Sequence, residues 1–264
     1  MHTDWMEFVK NTTQLNLSEQ DRLRRFLRFY YQQFDGIFAL NSDHKKWLSS
    51  HEMQINEEKI HLTSHWIHEQ PDINKKYNIH NLHRELGLDE NKPQPTLFFA
   101  GRISKEKGIF DIPEVVRAVK KAIPDIKMFI AGTGPAEYTL RKEFPEATFL
   151  GWIDKKKMAK LYHSLDLFIF PSRFDTFGNV VLEAFGHGMP VIAYDIKGPK
   201  DIIEDNKNGF LVTDKDEMAE KIIHYFSDQI DRDNFKKNAI QRCLSDDYQA
   251  KTIMENIQKN IGLI

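Results

Sequence analysis

A single cysteine, Cys243, occurs in 264 residues, so no internal disulfide can form and no disulfide framework holds this fold. That usage fits a reducing, cytoplasmic setting, which is the expected location. No apolar run approaches the ~20 residues needed to cross a bilayer. The opening MHTDWMEFVK lacks the basic and then apolar stretches of a secretory signal. Surplus charge is lacking as well, since 37 basic and 39 acidic side chains leave a net charge of -2. A dedicated nucleic-acid binder carries a basic excess, so no nucleic-acid partner is expected. With 41% hydrophobic and 29% charged residues, neither a disordered nor a fibrous chain is indicated. The length suits one large domain or one and a half small ones.

Three zones are expected: residues 1–92, 93–245 and 246–264. In the first, Leu23, Phe26, Leu27, Tyr30 and Phe34 recur at helical spacing behind a Ser18 cap. Arg22, Arg24, Arg25 and Arg28 crowd the same helix. They read as a solvated face, with a docking or membrane-surface helix as the alternative. GIFAL (36–40) predicts a short buried strand, SDHKKWLSS (42–50) a Ser-capped helix, and KIHLTSHWI (59–67) another strand. Glu69 to Tyr77 is polar, contains Pro71, and reads as linker. His61, His65 and His68 have a spacing that would chelate a metal on a helix. In a strand, however, 61 and 65 share a face and 68 does not, so packing histidines are expected.

From Pro93 the pattern becomes regular. Apolar runs predict strands at 95–101, 126–132, 147–151, 166–172, 190–195 and 209–213. Amphipathic stretches at 111–123, 135–144, 155–165 and 180–188 predict helices between them, and further helices run nearly to the end. Continuous apolar strands alternating with helices mean an α/β fold: a Rossmann-like parallel sheet with helices on both faces. Such sheets bind ligands beyond the carboxyl ends of their strands.

Three loops at those ends carry polar chemistry. GRISKEKGI places Arg102 and Lys107 after the first strand. Two fixed cations suit a diphosphate, and the same residues equally suit a solvated loop. AGTGPAE lacks the third glycine of a dinucleotide fingerprint, because Glu137 stands there, so a tight turn and a phosphate loop remain equal readings. PSRFDTFGNVVLEAFGHG carries Asp175, then Gly178 and Asn179 opening a helix that bears Glu183. Free N–H groups of residues 177–180 would make an anion site at that helix start. The alternative is that Asp175 caps the helix and Glu183 is solvated. The apolar face of Val181, Leu182 and Phe185 argues for a partly buried Glu183.

This last element resembles the E-x7-E element of the retaining glycosyltransferases of family 4, also called group 1, which have the GT-B fold. Here Asp175 replaces the commoner first Glu, and its reach is one methylene shorter. The resemblance extends through GR-x4-KG (101–108), AGTGP (131–135), FLGWI (149–153) and GFLV (209–212). It implies that Arg102 and Lys107 hold the donor diphosphate and that Asp175 faces the donor sugar. It further implies that Glu183 binds the ribose, and that Phe177, Gly178, Asn179 and Val180 meet sugar and phosphate through their backbone. Gly101, Gly134 and Ile153 complete the expected substrate-binding set, the base resting on Gly151–Ile153.

The resemblance covers about residues 93–215. Family members carry a second, N-terminal Rossmann-like domain that binds the acceptor, of which only a final β–α unit is recognisable. The helix around Ile253, Ile257 and Ile261 resembles one that crosses back to that domain.

The expected function is therefore the donor-binding portion of a glycosyltransferase. The expected donor is a nucleotide diphosphate sugar, and the acceptor is an unidentified glycan, lipid or small molecule. An N-terminal acceptor-binding domain is the expected partner, with peripheral membrane contact as a further option. No Asp-x-Asp motif lies near the site, so no catalytic metal and no cofactor is expected. Lys200 is a candidate third cation, with a solvated lysine at a helix start as the equal alternative. The alternative is a nucleotide-sugar-binding module inactive without its acceptor domain. A nicotinamide-dependent oxidoreductase would need a full G-x-G-x-x-G after the first strand and an acidic residue ending the second, and neither is present.

Overall fold

The computed structural model describes residues 15–66, 80–89, 94–227 and 230–260. The linker read at Glu69–Tyr77, His68 and Ile261 lie outside the described residues.

The N-terminal zone opens with helix α1 (Leu17–Gln32). Its cap is Asn16, not Ser18: the Asn16 side chain takes the Glu19 N–H while Glu19 reaches back to the Asn16 N–H. This reciprocal box satisfies two otherwise unpaired donors at once, and Ser18, already the second residue inside the helix, cannot form it. Strand β1 (Ile37–Ala39), helix α2 (Ser42–Ser49) and strand β2 (Ile60–Leu62) follow. Helix α2 is likewise capped by Asn41, with Ser42 its first helical residue. β1 and β2 pair in parallel. The expected strand 59–67 stops at Leu62 because its partner β1 is only three residues long and the pairing ends at the Thr63 N–H to Ala39 C=O bond. Leu27, Tyr31, Ile37, Leu48, Met53 and Ile60 form a small separate core here.

After helix α3 (His80–Glu85), which the sequence reading did not contain, the large sheet begins. In chain order come β3 (Thr96–Ala100), α4 (Asp111–Lys120), β4 (Lys127–Ala131), α5 (Glu137–Glu143), β5 (Thr148–Gly151), α6 (Lys155–Ser164) and β6 (Leu167–Phe170). Then come α7 (Asn179–Gly186), β7 (Val191–Tyr194), α8 (Pro199–Ile202), β8 (Gly209–Val212) and the helices α9 (Lys215–Tyr225), α10 (Arg232–Cys243) and α11 (Ala250–Asn260). The strand order is β5-β4-β3-β6-β7-β8, all parallel. The chain therefore winds outward from β3 in one direction and then from β6 in the other. The loops leaving β3 and β6 diverge at this reversal, which opens the crevice where such sheets take ligands.

Period-2 alternation divides the core between the two faces of the sheet. Phe98, Phe129, Phe168 and Val191 face α6, α7 and α10 through Leu161, Val181, Phe185 and Ala239. Leu97, Ile130, Ile169 and Phe210 face α4 and α9 through Val116, Val119, Met218 and Ile222. Each such Leu, Ile or Phe contributes about 1.5–3 kcal/mol by leaving water. Helix α4 ends three residues before the expected position because Pro124 follows Ile123 and disfavours the helical conformation there.

At the carboxyl ends of the strands, backbones approach too closely for any side chain. A Cβ on Gly108, whose φ is +68°, would sit 1.8 Å from the Pro171 carbonyl oxygen. One on Gly132, with φ +119°, would sit 1.9 Å from the Gly101 carbonyl oxygen. Both contacts are with backbone, which cannot rotate away. Gly108→Ala and Gly132→Ala are therefore expected to destabilise the fold by more than about 3 kcal/mol. Gly151→Ala is the control: φ is +68° but the space is empty, so the cost should be only the left-handed penalty of about 1–2 kcal/mol. Urea denaturation of the three variants checks this, and equal losses would contradict it.

Candidate functional site

Strand β3 delivers its loop directly to the crevice. Ser104, buried beneath, donates its hydroxyl to Glu106 at 2.6 Å. That bond, with the nearby charges of Arg102 and Lys107, holds the Glu106 carboxyl below its usual range. A single 3-10 turn, Lys105–Lys107, ends at Gly108 and turns Lys107 toward the loop that follows β6. There the Lys107 Nζ lies 2.8 Å from Oδ2 of Asp175. Lys107 is 33% and Asp175 17% exposed, so the pair sits at the edge of solvent.

The other oxygen of Asp175, Oδ1, accepts the N–H groups of Phe177 at 3.1 Å and Gly178 at 2.8 Å. Two of the four N–H groups expected to face a ligand are thus already satisfied within the loop; Asp175 holds the turn that leads into α7 without capping the helix itself, whose cap residue Gly178 has no side-chain acceptor. Gly178, in the left-handed region, starts α7, whose first residue Asn179 is exposed and whose Val180 is half-buried. Phe177 is buried, edge-on to His65 at 4.9 Å and to Tyr248 at 6.3 Å. These contacts tie the loop to the N-terminal zone and to the segment before α11.

Glu183 lies one turn into α7 and is exposed, not partly buried as its apolar neighbours suggested. Val181, Leu182 and Phe185 take the inner face, which leaves position 183 on the outer one. Its carboxylate accepts a hydrogen bond from the Tyr162 hydroxyl of α6 at 3.4 Å. Tyr162 is buried, and burial together with the Glu183 charge pushes its phenol well above the ordinary value, so it stays a donor. Tyr162 was absent from the sequence reading. On a helix its only signal was an aromatic at core spacing, and the partner is 21 residues away.

The glycine loops serve each other. The Gly101 N–H bonds Ala131 C=O at 3.1 Å, and a Cβ on Gly134 would meet the Ile103 carbonyl oxygen at 2.2 Å. Gly101 and Gly134 thus pack the β3 and β4 loops together. Arg102 is exposed and makes no ion pair among the described residues. Ile153 packs against the core while Trp152 beside it is 77% exposed. Lys200 pairs with Asp43 at 2.6 Å, which raises its pKa and joins the sheet domain to the N-terminal zone. His61 packs on Phe38 and His65 on Phe177, as packing histidines do. Among the described residues no group of three or more His, Cys, Asp or Glu stands ready for a metal, and no helix is long and apolar enough to cross a membrane.

The family model for "Glycosyl transferases group 1" matches residues 80–242. A GDP-mannose-dependent alpha-mannosyltransferase of Corynebacterium glutamicum is 30% identical over 183 residues, which are 68% of this chain and 43% of that protein. The alpha-monoglucosyldiacylglycerol synthase of Streptococcus pneumoniae is 25% identical over 84% of this chain and 51% of its own length. The chain thus spans about half the length of these relatives. Among solved structures, Anabaena HepE in complex with UDP superposes with a TM-score of 0.79 at 19% identity, over 92% of this chain and 68% of that one.

The geometry makes Asp175 the joint of the site and Lys107 one of its three partners. Asp175→Ala, which removes the ion pair and the oxygen that accepts both N–H groups, should cost about 1–3 kcal/mol. Lys107→Met leaves the two N–H bonds in place and should cost under about 1 kcal/mol. Denaturant titration of both variants checks the order. A larger loss for Lys107→Met would show that the loop is not organised around the carboxylate.

Proposed function

Starting from the fact that this chain belongs to the group 1 glycosyl transferases, whose family model covers more than half of it, we propose that it is the donor-binding portion of a retaining family 4 enzyme. It takes a nucleotide diphosphate sugar and transfers the sugar to an acceptor hydroxyl. The glycosidic C–O bond to phosphate breaks, a C–O bond to the acceptor forms on the same face, and the acceptor proton leaves with the diphosphate. The observation that carries the reading is the meeting of Lys107, Asp175 and the start of α7 at the reversal of strand order. Arg102 and Lys107 would stabilise charge growing on the leaving diphosphate, and a helix N-terminus favours the same charge. Glu183, held by Tyr162, would accept the ribose hydroxyls. No step in this scheme is assigned to a metal.

The acceptor side, for a glycan, lipid or small molecule, would come from an N-terminal domain. The two-stranded β1–β2 pair supports this, because so small a parallel sheet is not stable alone. So do α1 and the turn that follows it, which expose Phe26, Phe29, Tyr30 and Phe34. Without that domain the chain would act as a nucleotide-sugar-binding module. A cytoplasmic location belongs to the same proposal.

Isothermal titration of UDP, GDP and ADP with EDTA present tests the reading. One of the three should bind, and Glu183→Gln should weaken it about 10- to 150-fold, the loss of a charged hydrogen bond. Binding that requires Mg or Mn would contradict the metal-free scheme, and no binding under either condition would contradict the donor site.

A further inference from the structure

Of the two motif cations, Arg102 is exposed and makes no salt bridge among the described residues. Lys107 is already engaged. Its ammonium, and two N–H groups at the approach to α7, all converge on one carboxylate, with Nζ at 2.8 Å, the Phe177 N–H at 3.1 Å and the Gly178 N–H at 2.8 Å. The places proposed to receive the donor's phosphate oxygens are therefore filled by an anion that belongs to the chain. Asp175 reaches them because an Asp side chain can bond N–H groups two and three residues ahead while its second oxygen points outward to Lys107.

We propose that Asp175 is a built-in competitor for Lys107 that makes the site prefer the intact donor over the spent nucleotide diphosphate. The inference rests on the donor-site reading above. Incoming phosphate must take Lys107 from Asp175. When a sugar is attached, its hydroxyls supply hydrogen-bond donors to the released carboxylate, so the exchange is compensated. When the nucleotide diphosphate arrives alone, the carboxylate is left beside a second anion with no donor, and like charges at that distance repel. The same carboxylate thus recognises the sugar and penalises the product. Holding the turn alone does not require this arrangement, because Asn bonds N–H groups in such a turn as Asp does and would leave Lys107 unneutralised.

The test is calorimetry on the 264-residue chain with UDP, UDP-glucose, GDP and GDP-mannose as probes, comparing wild type with Asp175→Asn. Asparagine keeps an oxygen for the two N–H groups and removes the charge. The variant should bind the nucleotide diphosphate about 1.5- to fivefold tighter, as expected on removing a partly exposed ion pair. Its preference for the sugar-bearing partner should shrink by at least that factor. In a Lys107→Met background the tightening should shrink, because the competition for Lys107 is gone and only the like-charge repulsion remains to be relieved. Unchanged or weaker nucleotide diphosphate binding by Asp175→Asn, with wild type binding normally, overturns the competitor role and leaves the donor site standing. A folded wild type that binds none of the four probes overturns the donor site and the inference together. Should Asp175→Asn not fold, Asp175→Ser retains an acceptor oxygen without charge and is read in the same way.

Discussion

The site depends on how closely three loops approach one another at the carboxyl ends of β3, β4 and β6. Gly108 lies against the Pro171 carbonyl, Gly132 against the Gly101 carbonyl, and Gly134 against that of Ile103. These are backbone-to-backbone contacts, so the spacing is set by covalent geometry instead of by side-chain rotamers. A sheet whose order reverses between β3 and β6 would otherwise leave an open crevice with mobile rims. The glycine contacts draw the rims in until Lys107, carried by one loop, reaches Asp175, carried by another.

Once the loops are fixed, electrostatics decides what they do. One carboxylate satisfies a lysine and two backbone N–H groups, so the charge of Lys107 is neutralised within the chain while Arg102 faces solvent. A few ångströms along α7 the chemistry is different. Glu183 is exposed to solvent and steadied from below by a phenol that burial keeps protonated. Asp175 is engaged by a lysine and two backbone N–H groups, and Glu183 by the Tyr162 hydroxyl at the solvent edge. This difference follows from position, since residue 175 precedes the helix and can fold back on it, whereas residue 183 lies on its outer face.

Much of this could be read from the chain. The β3, β4, β6 and β7 runs are buried end to end or nearly so, and continuous apolar strands with intervening helices admit few arrangements. Of the loop residues singled out in the sequence, the structure brings Lys107, Asp175 and Gly178 into contact, because their loops leave neighbouring strand ends. What escaped was contact between distant positions. The partner of Tyr162, the Lys200–Asp43 pair and the Ser42–Asp201 bonds join residues 21 to 159 apart, and nothing local encodes them. The caps were missed because Asn16 and Ser18, or Asn41 and Ser42, compete on equal propensity, and geometry alone selects the asparagine. Strand β2 was overextended for a related reason. Its sequence favours a longer strand, but a strand extends only as far as its partner.

The central claim is that a nucleotide diphosphate binds between the loops after β3 and β6. Hydrogen–deuterium exchange with and without UDP, and in parallel GDP, locates the ligand without relying on any substitution. The account predicts slowed exchange in residues 101–108 and 175–183, with the rest of the chain little changed. Protection confined to the opposite end of the sheet, around Thr96 and Asp166, or to α1 and the β1–β2 pair, would contradict it.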